Sequence, residues 1–140
     1  MGDPHHLARF VAAQADVWPG PLEELRRGRK QSHWMWFVFP QISGLGMSAM
    51  SQHYAVRSRA EAEAYLAHGL LGPRLAETTD AVLGHADRLS AEEIFGGIDA
   101  VKFRSSMTLF DAVAPRDRYR RALDLFYAGE PDPATIKLLG

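Results

Sequence analysis

The chain has 140 residues, 46% hydrophobic and 24% charged, which fits one domain over 1–140 that can bury a core without disulfides or structural metal. It has no cysteine, which excludes a disulfide framework, thiolate zinc sites and a cysteine nucleophile, and matches the usage of a reducing compartment. Lys plus Arg number 16 against 17 Asp plus Glu, so no global field favours nucleic acid or anionic lipid. No apolar run is long enough to span a bilayer, and the opening MGDPHHLARF lacks the apolar region of a signal peptide, so the expected location is cytoplasmic.

The first segment reads as a helix, with Asp3 as N-cap, Pro4 in the first turn, and Leu7, Phe10, Val11, Val17 and Trp18 at helical spacing. Gln14 falls inside that apolar stripe. Trp18-Pro19-Gly20-Pro21 breaks the helix, and a short second one runs from Pro21 to Arg27, ending near Gly28. Residues 32–40, Ser-His-Trp-Met-Trp-Phe-Val-Phe-Pro, are the most aromatic stretch and fit either a strand or a short buried helix stopped before Pro40. Gln41 to Ser48 is a glycine-containing loop leading into a helix over Ala49 to Tyr54.

Ser58-x-x-Glu61 is a capping-box pattern opening a helix through Ala67. Leu70 to Leu83 forms the next helix, with Pro73 in its first turn. Ser90-x-x-Glu93 repeats the box before a brief helix stopped at Gly96-Gly97, and Asp99 starts a longer one reaching about Val113. Asp117 to Tyr127 is amphipathic through Tyr119, Ala122, Leu123 and Phe126, with Gly129 beyond its end, and Asp132-Pro133 begins a last helix through Leu139. The expected fold is all-α: seven or eight short helices around one core, with an extended segment at 32–40 as the open alternative.

Several blocks form a pattern spread over nearly the whole chain. They are Gly28 to Gln41, Gly44-Leu45-Gly46, Leu71-Gly72-x-Arg74-Leu75, and Phe95-Gly96-x-x-Asp99-x-x-Lys102-x-x-Ser105-Ser106-Met107-Thr108. In this order they resemble the bacterial and fungal family known as domain of unknown function 1810. Some members carry the label calpastatin; such an inhibitor would be disordered and repetitive, and this chain is neither. The resemblance implies no established activity. One departure is Gly69, which follows His68 where a proline is common in the family.

Three constellations can carry chemistry. Asp99, Lys102 and Ser106 share a helical stripe, with Ser105 and Thr108 beside it, so a carboxylate, an ammonium and a hydroxyl can meet. Serine one turn from lysine is the arrangement of Ser-Lys hydrolases, although a paired Asp99 keeps Lys102 charged, the opposite of a general base. In the second, Gly44 and Gly46 allow amides to converge on an anion, with Lys30 or Arg29 as counter-charge. The plain alternative is a turn whose glycines meet positive φ. The third is an aromatic wall at Trp34 and Trp36 flanked by His33 and Gln41, suited to a flat ligand if it is not simply core. The six histidines show no metal-binding spacing, and no metal or cofactor is implied.

The expected site therefore gathers Gln14, Lys30, His33, Trp34, Gln41, Gly44, Gly46 and Ser105 for binding, with Asp99, Lys102 and Ser106 as catalytic candidates. Each is a polar group or backbone cradle set among apolar residues, and a buried polar group needs a partner or a ligand. A nucleotide- or sugar-phosphate-like anion fits, with hydrolytic or glycosidic chemistry as an option. Lys102-Phe103-x-x-Ser106-Met107 is similar to helices of YbiA-like N-glycosidases acting on ADP-ribose-type compounds. The competing reading is a protein-interaction module or homo-oligomer whose aromatic surplus is an interface and whose polar core is structural.

Overall fold

In the computed structural model, residues 2–140 are described and form ten helices. These are α1 (Ala8–Ala15), α2 (Gly20–Arg26), α3 (Met35–Val38), α4 (Ala49–His53) and α5 (Arg59–Ala67), followed by α6 (Leu71–Leu83), α7 (Ala91–Phe95), α8 (Gly97–Val113), α9 (Arg118–Tyr127) and α10 (Pro133–Leu139). The all-α expectation holds, with more helices than the expected seven or eight because α3, α4 and α7 are single turns. The 32–40 stretch is the helical alternative, not a strand. None of these helices is long and apolar enough to cross a membrane.

Local chemistry explains most of the boundaries. The Asp3 carboxylate accepts the Leu7 and Ala8 amides, both at 2.8 Å, so it caps a helix that begins four residues later than its own position suggested. Those two amide bonds, from Ala8 and Leu7, hold its carboxyl below the ordinary value. Ser90 and Glu93 form a complete reciprocal capping box at α7. At α5 only half the box exists: Ser58 accepts the Glu61 amide, while the Glu61 side chain turns inward. Asp99 lies in the first turn of α8 rather than at its cap, which is Gly96 at φ 83°.

Helix α8 is the centre of the fold, packed against α5, α7, α9 and α10. Phe103, Ser106, Met107 and Phe110 follow the i, i+3, i+4, i+7 rule and are buried. Phe103 stacks on Phe95 and meets Phe39 edge-on, with ring centroids 4.7 and 5.0 Å away. The core continues through Phe10, Trp34, Tyr65 and Phe110, so one apolar cluster joins α1 to α9. Gly72 lets α6 press on the end of α5: a Cβ there would stand 2.1 Å from the Leu66 carbonyl oxygen.

The inward Glu61 meets Arg9 at 2.6 Å, with side chains 4% and 3% exposed. Arg9 also donates to the carbonyls of His5, His6, His53 and Ala55 at 2.8–2.9 Å. Breaking such a pair leaves an uncompensated buried charge, so Arg9→Met is expected to cost about 3–5 kcal/mol in urea unfolding. The double change Arg9→Met with Glu61→Leu should recover only part of it, because four carbonyls still lose their donor. A single-variant cost under about 1 kcal/mol would show that the cluster does not hold the fold.

Candidate functional site

The site lies where the loop after α3, the first half of α8 and the start of α10 meet. After Phe39 and Pro40 the chain runs extended, and Ile42 pairs with Val56 in an isolated parallel bridge. The Ser43 amide donates to the Val56 carbonyl and the Val56 amide to the Gln41 carbonyl, each at 2.8 Å. This fixes Gln41 and the 43–46 loop as one wall. The facing wall is a stripe of α8, Ile98, Val101, Lys102 and Ser105, again at i, i+3, i+4, i+7. Asp132 and Ala134 close one end. The cleft between them holds about 500 Å³ and is mainly apolar, with Gln41, Lys102, Ser105 and Asp132 among its polar groups.

A smaller hollow of about 370 Å³ adjoins it, sharing Trp36, Ile98 and Lys102. Its charged floor is Asp99 between two lysines. Lys30 Nζ lies 2.8 Å from Asp99 Oδ2, and Lys102 Nζ lies 3.5 Å from Oδ1. Lys102 Nζ also sits 4.8 Å from the centre of the Trp36 ring, and Lys30 Nζ is 5.0 Å from that of Trp34. Two ammoniums share one carboxylate, so the cluster carries one surplus positive charge. His33 lines this hollow from an exposed position.

Glu24 holds the segment that delivers Lys30 and His33. Its carboxylate accepts the Gln31 amide at 2.7 Å, the Ser32 amide at 2.9 Å, the Ser32 hydroxyl at 2.6 Å and the Trp34 indole N–H at 3.1 Å. Burial alone would raise this carboxyl, but the four hydrogen bonds outweigh it and hold it below its ordinary value near 4.5.

The expected site residues divide into three groups. Gln41, Gly44, Gly46, Lys102 and Ser105 line the larger cleft; Lys30, His33, Asp99 and again Lys102 line the smaller hollow. Gln14, Trp34 and Ser106 line neither. Gln14 is buried and bonded inside the protein: its Nε2 donates to the Phe37 carbonyl at 2.7 Å and to Tyr65 at 3.1 Å, and Arg74 donates to its Oε1 at 3.4 Å. Trp34 is fully buried, with its N–H on Glu24, so no ligand can stack on it. Ser106 points with Phe103 and Met107 into the core, its hydroxyl buried without a hydrogen-bond partner. The Ser-Lys reading is therefore withdrawn, since this oxygen is closed to any substrate.

Of the expected aromatic wall, Trp36 borders both hollows. One group of the cleft was not expected. Asp132 read only as the start of the last helix, and nothing in one dimension places it beside Ser105. The glycines have conformational reasons of their own. Gly44 has φ +105°, and a Cβ on Gly46 would meet the Ser51 hydroxyl at 2.6 Å. Ser48, the cap of α4, takes the Ser51 amide and bonds the Ser51 hydroxyl, so its own side chain satisfies that helix start.

The arrangement offers an ammonium, a carboxylate, an amide and an aromatic edge around an apolar hollow, which suits binding more than nucleophilic chemistry. A family model described as a protein of unknown function, DUF1810, matches residues 4–139. The chain belongs to this family. It is similar to the conserved hypothetical protein Rv1873 from Mycobacterium tuberculosis, with 50% identity and a TM-score of 0.91 to its crystal structure over 98% of each chain. No curated protein matches the chain. Membership in DUF1810 thus fixes a fold shared across half-identical sequences and leaves the reading of the cleft to its own geometry.

Ser106→Ala should leave ligand binding unchanged and shift stability by less than about 1 kcal/mol, since it removes a hydroxyl that has no partner. Loss of binding in a folded Ser106→Ala protein would restore the serine to the site. The depressed Glu24 carboxyl stabilises the fold above its unfolded-state value, and that contribution is lost as pH falls through the folded-state value. Glu24→Gln should therefore be less stable than wild type near neutrality, with the gap closing from about pH 5 downward in denaturant titrations. A gap that stays constant from neutral to strongly acidic pH would contradict this account of the loop.

Proposed function

We propose that this protein binds a small organic anion with a flat or apolar body in the cleft between the 41–46 loop and α8. The observation that carries the reading is Lys102, the one lysine lining both hollows among the described residues, seated beside Trp36 and on the edge of a cluster with one surplus positive charge. A volume near 500 Å³ matches the range of ligand pockets, and mainly apolar walls with a few convergent polar groups are their usual lining. Nucleotide-like and sugar-phosphate-like molecules remain the first classes to try, with aromatic carboxylates beside them. Hydrolytic chemistry has lost its proposed nucleophile and is not part of this reading. A cytoplasmic location stays an expectation of the sequence.

A second reading has one observation in its favour. Ile98, which lines the cleft, is 77% exposed, and Met47, next in the chain after Gly46 of the cleft wall, is 87% exposed, which is costly to leave in water without a partner. A homo-oligomer or a bound protein would cover them. Met47→Lys separates the two readings, because it disrupts an interface there while leaving every residue that lines the hollows unchanged.

Thermal unfolding against a panel of nucleoside monophosphates, sugar phosphates and aromatic carboxylates tests the proposal. A ligand at about ten times its Kd adds about 1.4 kcal/mol and raises Tm by several degrees. Lys102→Gln should fold normally and lose the shift. A panel that never moves the wild type, or moves Lys102→Gln equally, removes the anion-binding reading.

A further inference from the structure

The larger cleft contains a second charged group to which anion binding gives no role. Asp132 lines it from the start of α10. Its Oδ2 accepts the Ser105 hydroxyl at 2.8 Å and the Thr135 hydroxyl at 2.6 Å, so both neutral donors fall on one oxygen and neither engages Oδ1. The Asp132 amide donates to Thr108 at 2.9 Å. Arg104 holds the two preceding carbonyls, Glu130 at 2.9 Å and Pro131 at 3.0 Å. Three residues of one segment of chain, Glu130, Pro131 and Asp132, are thus pinned to α8, and the carboxylate cannot swing away.

What Asp132 lacks is a counter-charge. The ion pairs among the described residues engage the other carboxylates of the site, and none includes Asp132. Lys102, the cation that shares the cleft, pairs with Asp99 instead. A fixed, half-buried carboxylate beside Ile98, Val101 and Ala134, supported only by hydroxyls, is one half of an ion pair. A neutral hydroxyl would satisfy Oδ1 but leave the charge uncompensated; an ammonium satisfies both. Lys102 and Ser105 stand one turn apart on α8, and Asp132 is bonded at Ser105. The two charges thus border one cleft from neighbouring positions without pairing with each other.

We infer that the cleft takes a zwitterion: an anionic group at Lys102, a flat or apolar body along Trp36 and Ile98, and an ammonium at Asp132. This rests on the anion-binding reading and adds the second pole and its charge. The ligand class is an amine-bearing aromatic or alicyclic acid, its two charges carried on an apolar body because Trp36, Ile98 and Val101 line the same cleft.

Three matched probes test it: 4-(aminomethyl)benzoate, 4-methylbenzoate and benzylamine, titrated by ligand-detected NMR into wild type, Asp132→Asn and Lys102→Gln. Wild type should bind 4-(aminomethyl)benzoate about tenfold more tightly than 4-methylbenzoate, the margin of one charge-assisted hydrogen bond. Asp132→Asn keeps an oxygen for the two hydroxyls; it should erase the margin by weakening 4-(aminomethyl)benzoate, with 4-methylbenzoate bound no more weakly than by wild type. Equal affinity of the two acids for wild type, a comparison that needs no variant, overturns the zwitterion while the anion reading stands. A margin that persists in Asp132→Asn does the same. If neither acid binds wild type, or Lys102→Gln binds both unchanged, the anion reading itself falls and the second pole with it.

Discussion

Arg9 spends every N–H of its guanidinium inside the protein, on four carbonyls and the Glu61 carboxylate. Two of those carbonyls belong to His53, the last residue of α4, and Ala55 in the strip of chain between α4 and α5, and Glu61 takes the Arg57 amide of that strip with its other oxygen. Val56 in the middle of that strip is what Ile42 pairs with. The wall that carries Gln41 and Gly44 therefore hangs on a bridge whose far side is held by one buried arginine. A loop of this length would otherwise move freely over the surface, and a cleft bounded by it would have no fixed width. Helix propensity has no part in this; the constraint is the cost of leaving a buried charge and its carbonyls unpaired.

Helix α8 forms the other wall because its two ends live in different surroundings. From Phe103 onward it is enclosed, and even Ser105, Ser106 and Thr108 are buried. Its first turns emerge from the core, so Ile98 and Val101 are open to water while Ala100 on the opposite side is covered. The stripe through 98, 101, 102 and 105 faces out at one end and into α10 at the other. The stripe through 103, 106, 107 and 110 faces the core throughout. Lys102 stands between them, one turn from both Ser105 and Ser106, and only three-dimensional packing decides which serine shares its cleft.

That ambiguity shows what the sequence could and could not reveal. Helix starts were legible at Ser58, Ser90 and Pro133, because capping depends on residues a few positions apart, whereas the helix expected from Asp3 begins only at Ala8. The burial of Phe10, Tyr119 and Leu123 was legible through periodicity. The 32–40 stretch could not be resolved by pattern, since its conformation depends on Glu24 gathering the Gln31 and Ser32 amides and the Trp34 indole from outside the stretch. Gln14 and Trp34 looked like ligand groups for a sound reason, polar atoms among apolar ones. Their partners, the Phe37 carbonyl, Tyr65 and Glu24, are separated from them by 10 to 51 positions, and no local rule predicts that they are already satisfied. Asp132 was the reverse case: a residue with an adequate local explanation that also lines a hollow.

The useful distinction is therefore between polar groups whose bonding is complete and those whose bonding is not. Arg9, Gln14 and Glu24 are buried and fully engaged, and each ties distant segments together, as a structural network does. Lys102 and Asp132 are held in position yet incompletely matched: one belongs to a cluster with a charge to spare, the other to a carboxylate with no cation. A protein that needed these two only for stability could have closed them on each other, since both border the same space. Instead Asp99 and the hydroxyls of Ser105 and Thr135 keep them apart, and the apolar walls between them supply no further bond. Opposite charges held in one apolar hollow without pairing with each other describe a molecule by its complement. That is a stronger statement about a ligand than either charge alone would support.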